Sequence, residues 1–420
     1  MRTSVASAVL LALGLADAVA VVPKPLKVDY SGFRGLRVTL NEHTQEVEDK
    51  LTELVAHILN PGAEVLDVVV DPANIDAVTN MAASAEVIID DVGALLAEEE
   101  HSAPLATRAV PAESWFTAYH SYNDHLQFLR DLQGGFTSNS AIVTAGTSAQ
   151  GKILTGIQIW GSGGRGSKPA IVIHGTVHAR EWISTMTTEY IAWQLLTKYS
   201  SDAAVKALVD KFDFYITPIV NPDGFAYTQT NDRLWRKNRQ TVSGNSCVGR
   251  DINRNWPSSS WAMTGGASTS PCSETYKGQA AGDSPENKGL VAQAQSLRSG
   301  NGIRLYLDIH SYGQYILWPY GHDCNFVDPA ETRWRSLATA AQSAIRAVSG
   351  TAYTIGNSCR ALYKTTGDST GYFAGSASTP NAFTYELRDT GDFGFSLPAN
   401  QIQPTVRETW AGIVSMLQNV

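Results

Sequence analysis

Between Lys27 and Glu100 the apolar positions change period several times. Val47, Leu51, Leu54, Val55 and Ile58 recur at helical spacing, whereas Val65 to Val70 and Val87 to Ile89 are short continuous apolar runs of the kind that buried strands carry. Asp71-Pro72 offers a capping side chain followed by a proline for the first turn of a second helix. The order strand, helix, strand, helix, strand predicts a small α/β domain. A last helix is expected over Leu95 to Glu100. The segment Ala103 to Pro111 then reads as a linker, with Arg108 as an exposed processing site.

From Trp115 onward the runs Ile153–Trp160, Ala170–His174, Phe212–Ile219, Ile303–Ile309 and Ala382–Glu386 read as strands. Helical stretches, notably Ile183–Tyr199 and Glu286–Arg298, lie between them, so a second, larger α/β unit with one sheet covered on both faces is expected. Thr241 to Gly282, rich in Ser, Gly and Thr, predicts a long irregular excursion, and loops of that length are usually functional or cross-linked. Cys247 and Cys272 lie in it, and Cys324 and Cys359 flank a later helix. Four cysteines allow three pairings. Chain neighbours favour Cys247 with Cys272 and Cys324 with Cys359.

Composition changes this picture little: 420 residues, 43% hydrophobic and 17% charged, exclude a disordered chain. Residues 1–20 combine Arg2, an apolar core from Val5 to Leu15 and small residues up to Ala20, the pattern of a secretory signal peptide. No later run approaches the roughly 20 apolar residues needed to cross a bilayer. A secreted, extracellular chain in an oxidising compartment is expected, with no membrane partner. Charge is uneven. Residues 1–108 hold 7 basic and 17 acidic residues, and the rest hold 25 and 23. An acidic segment before a nearly neutral body suits a docked propeptide or a solvated face, and there is no basic patch for nucleic acid.

Two motif matches are set aside on context. Gly161-Ser162-Gly163-Gly164-Arg165-Gly166 matches GxGxxG, but a strand follows where a phosphate site needs a helix, so a hairpin loop is expected. Gly367-Asp368-Ser369-Thr370-Gly371 matches GxSxG, yet no histidine follows His322, and a serine hydrolase built on Ser369 needs another chain order. The segment Ile171 to Trp182 carries more. A buried strand runs out into a turn, and His178 and Glu181 follow at the start of a helix, three apart, where they can share one face and a cation. Zinc in catalytic sites takes three protein groups. His310, at the end of the strand Leu305 to His310, supplies a third candidate where sheet proteins gather their sites. His174 is a rival partner for His178, but Gly175 breaks the helix that their spacing needs.

Four motifs in order, His178-Ala179-Arg180-Glu181-Trp182, Asn253-Arg254-Asn255-Trp256, Asp308-Ile309-His310-Ser311-Tyr312 and Tyr385-Glu386-Leu387-Arg388-Asp389-Thr390-Gly391, resemble the zinc metallocarboxypeptidases of the pancreatic A/B type over nearly all of residues 112–420. The resemblance implies residues 1–20 as signal peptide, 21–108 as an inhibitory propeptide of small α/β, open-sandwich, ferredoxin-like type with its activation linker, and 109–420 as a catalytic domain with a twisted mixed β-sheet flanked by helices. It implies one Zn2+ held by His178, Glu181 and His310, with Asp251 orienting His178. Glu386 matches the catalytic glutamate, a carboxylate placed to take a proton from water and pass it to the leaving amine. The alternative is a glutamate paired with Arg388 on the same strand face. Arg236 matches the arginine that stabilises the oxyanion. Asn253 and Arg254 match the clamp on the substrate's terminal carboxylate, with Arg180, Tyr312 and the mobile Tyr363 as further substrate contacts. Arg108 stands where activation cleavage falls.

The same resemblance implies a secreted zymogen, a monomer, that removes single C-terminal residues from peptides and proteins after an activating protease releases its propeptide. At the pocket floor Thr370 replaces the aspartate of basic-selective relatives and the isoleucine usual in A-type ones. Ser358, Thr365 and Thr384 add polarity to the lining, and A-type selectivity for apolar or aromatic residues is expected. Asp368 stands where relatives carry glycine, so preference for Lys or Arg is the alternative. A secreted peptide-binding protein that has lost catalysis is a further alternative, against which the intact Glu386 and ligand set speak.

Overall fold

The computed structural model describes residues 27–42, 44–99 and 110–420. The signal peptide and Arg108 lie outside the described residues. The N-terminal unit contains β1 (Arg34–Leu40), α1 (Gln45–Leu54), β2 (His57–Ile58), β3 (Val65–Val70), α2 (Ile75–Met81), β4 (Ala82–Ile89) and α3 (Val92–Glu99). Its strands form an antiparallel sheet in the order β2-β3-β1-β4. Asp71 accepts a hydrogen bond from the Ala73 amide at 2.8 Å and Pro72 opens the single turn before α2, as expected.

The continuous apolar run in β3 has a geometric cause. Leu66, Val68 and Val70 face α1 and α2 in one core with Leu36, Val38, Leu51 and Val78, while Val69 packs on the other side with Leu234 and Phe395 of the larger unit. A strand covered on both faces loses the alternation of a half-buried one. Ile58 departs from the expected helix: α1 ends at Leu54, and Ile58 pairs with Val68 in the short strand β2. Its apolar period continues because strand and helix bury it against the same core.

The larger unit continues with α4 (Tyr122–Gly135), β5 (Ser140–Thr147), β6 (Ile153–Ile159), β7 (Ala170–Gly175), α5 (Trp182–Lys198), α6 (Ala203–Lys211), β8 (Asp213–Thr217) and α7 (Pro222–Thr230). After the irregular stretch come α8 (Pro285–Ser299), β9 (Ile303–Ser311), β10 (Tyr315–Trp318), α9 (Glu331–Ser349), β11 (Thr354–Asn357), the short α10 (Ser358–Ala361) and α11 (Ser369–Gly371), β12 (Ala382–Leu387) and α12 (Ile402–Asn419). Eight strands form one mixed sheet in the order β11-β10-β12-β9-β7-β8-β6-β5, with β12, β9, β7 and β8 parallel at its centre.

Alternation along the central strands divides the core. Ile171, Ile173, Leu305, Leu307, Phe383 and Tyr385 join the cluster under α4, α5, α9 and α12, whereas Val172, Tyr306 and Ala382 join Leu290 and Ala294 of α8, Trp256 and Phe373 on the opposite face. The expected two-sided cover is therefore present. The glycine-rich loop 160–169 is not a hairpin, because β6 and β7 are not neighbours; β8 lies between them, antiparallel to β6 and parallel to β7. Residues 241–282 contain only one 3-10 turn, Ile252–Arg254, and two isolated bridges. Both disulfides join the expected neighbours, Cys247 with Cys272 and Cys324 with Cys359.

Candidate active site

Parallel pairing brings the carboxyl ends of β7, β9 and β12 side by side, the place where open α/β sheets gather their ligands. His174 of β7 is level with Asp308 of β9, and His310 is level with Glu386 of β12. β7 ends at Gly175, and Thr176 takes a positive φ of 48°, turning the chain across the strand ends. His178 and Glu181 lie in the tight turn that follows, where the Glu181 amide donates to the His178 carbonyl at 3.2 Å. The helix-face expectation is thus corrected. α5 starts only at Trp182, and a reverse turn rather than a helical stripe brings the two side chains together.

His178, Glu181 and His310 are all buried. His178 Nδ1 is 2.7 Å from Glu181 Oε1, His310 Nδ1 is 2.9 Å from Glu181 Oε2, and the two Nδ1 atoms are 3.1 Å apart. Their ligand atoms all lie within 4.8 Å of one another. Two imidazoles and one carboxylate converging from separate strand ends form the three-ligand set that catalytic zinc uses, so the residues fit the metal. His174 is not part of this set. It sits inside the sheet 3.1 Å from Tyr306 Oη, and burial pulls it down to about 4, leaving it neutral.

The far nitrogens of both ligand rings meet carboxylates. His178 Nε2 is 3.1 Å from Asp251 Oδ1, as the resemblance implies, and His310 Nε2 is 3.1 Å from Asp308 Oδ2. Burial alone would raise Asp251, yet Arg236, 2.8 Å away, and His178 hold it well below the usual carboxylate range. Asp251 in turn keeps Arg236 firmly protonated despite its burial. Sequence reading gave Asp308 no role, although residues two apart on a strand share a face. Ser369 is no nucleophile here: it is 1% exposed, and its hydroxyl donates to the buried Asp308 and not to a histidine.

One cavity is lined by His178, Glu181, Arg236, Asn253, Arg254, Tyr312, Tyr363, Thr370 and Glu386. Burial pushes the Glu386 carboxyl up to about 8; a cation held by the triad acts in the opposite direction. Glu386 is not paired with Arg388, which engages Glu408 instead. Arg254 is 3% exposed, and its Nε has no partner among the described residues. Asp368 also lines the cavity. Its Oδ1 accepts from the Gly371 amide at 2.8 Å and from Thr370 Oγ1 at 2.9 Å, capping α11, while Oδ2 takes only the long 3.4 Å contact from Thr365 Oγ1.

Arg180 departs from the expected site. It is fully buried outside the cavity wall, donating to the carbonyls of Ile58 at 3.1 Å and Leu59 at 2.9 Å in the N-terminal unit. Tyr312 Oη likewise donates to Asp67 Oδ2 at 2.8 Å. Leu59 and Asn60 also line the cavity, as do the expected Ser358, Thr365 and Thr384. None of these four N-terminal residues carries a local sequence signal, because each acts through a contact made between the two units.

The chain is similar to known proteins over most of its length. The family described as zinc carboxypeptidase matches residues 125–412. Metallocarboxypeptidase A of Trichophyton tonsurans is 43% identical, with 99% of each chain covered, and human carboxypeptidase A1 is 32% identical over 94% of this chain and 95% of its own. A crystal structure of thrombin activatable fibrinolysis inhibitor superposes with a TM-score of 0.83 at 28% identity, covering 93% of this chain and 99% of that one. The chain therefore belongs to the zinc carboxypeptidases, as a metallocarboxypeptidase that hydrolyses peptides with zinc as its cofactor.

Proposed function

We propose that this enzyme is secreted as a zymogen, that residues 1–20 direct secretion, that 21–108 form an inhibitory propeptide and linker, and that 109–420 release single C-terminal residues. The observation that carries the reading is the cavity in which Glu386, the His178–Glu181–His310 set and the partly unpartnered guanidinium of Arg254 converge. A buried guanidinium with a free N–H suits a carboxylate bound at two points, which makes the chain end the recognised feature. Asn253 lines the cavity beside it.

Bound zinc supplies Lewis-acid polarisation and makes water nucleophilic near neutral pH. Glu386 takes a proton from the attacking water at its carboxylate oxygen as the new C–O bond forms. Arg236, fixed by Asp251, donates to the oxyanion that develops on the scissile carbonyl. Glu386 then hands the proton to the amine nitrogen, the C–N bond breaks, and the released residue leaves with Tyr363 as the mobile cover. The N-terminal unit inhibits by occupying this route: Leu59 and Asn60 wall the cavity, and Arg180 and Tyr312 are spent on Leu59 and Asp67.

Apolar and aromatic C-terminal residues are the preferred substrates, with Leu317 and Leu362 supplying apolar wall. Asp368 favours a second reading, release of Lys or Arg, because all its hydrogen-bond donors are neutral and Oδ2 is weakly held. The test is hydrolysis of blocked dipeptides ending in Phe, Leu, Arg or Glu by chain cleaved after Arg108, with and without a zinc chelator. Chelator-sensitive release of Phe or Leu is expected. Preferred release of Arg, abolished in D368N, would assign selectivity to Asp368, and no release from any substrate would favour a binding protein. Equal turnover by intact and cleaved chain would remove the zymogen reading.

A further inference from the structure

The alternation of β9 puts Tyr306, Asp308 and His310 on one face of the sheet, opposite Leu305, Leu307 and Ile309 in the larger core cluster. Asp308 thus lies directly behind His310, against Nε2, the ring nitrogen turned away from Glu181. This repeats the arrangement of Asp251 behind His178. The two carboxylates differ in what holds them. Asp251 is gripped by the Arg236 guanidinium, whereas Asp308, fully buried, takes the Ser369 hydroxyl on the same Oδ2 that faces His310, and its Oδ1 has no partner among the described residues.

A second group competes for His310 Nε2. Asn253 uses Oδ1 to accept the Ser369 amide at 2.8 Å, so it turns its NH2 toward Nε2, at 3.3 Å. An amide donor there would favour the tautomer with the proton on Nδ1, which cannot bind a metal. The contact to Asp308 is shorter and charge-assisted, and such bonds are roughly twice as strong as neutral ones. It therefore keeps the proton on Nε2 and the Nδ1 lone pair toward the cation.

We propose that Asp308 and Ser369 form a positioning pair for the metal ligand His310, with the serine hydroxyl fixing the direction of Asp308 and Asp308 fixing the tautomer and orientation of the imidazole. The proposal rests on the reading of His310 as a zinc ligand, and it gives the serine of the GxSxG match a role as a hydrogen-bond donor.

The experiment uses the full chain loaded with zinc and follows transfer of the metal to a chromogenic chelator, together with the visible spectrum of the cobalt-substituted protein. S369A is expected to release zinc roughly ten-fold faster than the parent, and D308N roughly ten- to a hundred-fold faster. The cobalt bands shift in both. T409V, which removes an equally buried hydroxyl on α12, behind the sheet, keeps the parental rate and spectrum. If D308N does not fold, S369A decides, since it removes one oxygen. Release from S369A within two-fold of the parent, with unshifted bands, overturns the pair. H310A separates the two levels: stoichiometric zinc in H310A overturns the ligand assignment itself, whereas zinc lost from H310A with a parental S369A overturns the positioning role alone.

Discussion

At the scale of single residues, the roles divide between holding charge and moving a proton. E386Q keeps the size and polarity of the side chain but cannot accept a proton, so kcat is expected to fall by roughly 10²- to 10⁴-fold while zinc content stays at one per chain. Metal analysis beside steady-state kinetics separates this from loss of the site. R254A removes at least one hydrogen bond to a charged group, which contributes roughly 1.5 to 3 kcal/mol, so kcat/KM should drop by at least roughly 10- to 150-fold. Amidating the peptide's C-terminus should impose a similar loss on the parent and little further loss on R254A. A full additional loss would mean that Arg254 does not contact that carboxylate. The ligands and Glu386 were legible in the sequence because they sit beside strand ends in dense motifs. Asp308 sat in one of those motifs unnoticed, since Ser369, which holds it, is 61 residues ahead.

At the scale of elements, the irregular stretch 241–282 carries Asn253 and Arg254 with almost no regular structure to hold them. The Cys247–Cys272 bridge closes a span of 25 residues around them, and the chain-entropy cost it removes from the unfolded state is about 3 kcal/mol for loops of this size. The double variant C247S/C272S should therefore lose about 3 kcal/mol of stability, read from the denaturant midpoint. Its KM should rise more than its kcat falls if Asn253 and Arg254 clamp the substrate as proposed, because their loop loosens before the strands that hold Glu386 and His310. Long elements such as α5, β3 and β9 followed from periodicity within a residue or two. α4, β10, β11 and α12 did not stand out, because short or mixed apolar patterns acquire a definite state only from what they pack against. The turn at His178 shows the same limit: three-residue spacing is satisfied equally by a helix and by a reverse turn.

At the scale of the whole molecule, His57 links the two units. It is buried in β2 between Asp232, 3.3 Å from Nε2, and Glu274, 3.4 Å from Nδ1, with Tyr30 Oη 2.8 Å from Nε2. Burial alone pulls the imidazole down, but Asp232 and Glu274 together raise it to about 9. A group whose pKa is raised by docking stabilises the docked state fully below its free value of roughly 6.5 and loses that contribution as pH rises through about 9. Arg180 and Lys237 also face Glu274. Chain cut in the linker should accordingly keep its N-terminal fragment at pH 6 and release it progressively toward pH 10, recovering activity as it does. H57Q should flatten that profile, and an unchanged profile would exclude His57 as its source.

The sequence by itself determined the α/β class, both disulfide pairings and the metal triad. These rest on local periodicity, on neighbouring cysteines and on motifs a few residues long. Only the tertiary structure decided that the glycine-rich loop spans a third strand, that Arg180 and Tyr312 are taken up by Leu59 and Asp67, and that Ser369 backs a ligand through Asp308. Those contacts join residues 61 to 245 positions apart. Their partners are chosen by how strands align and faces dock, and no residue carries that information within its own segment.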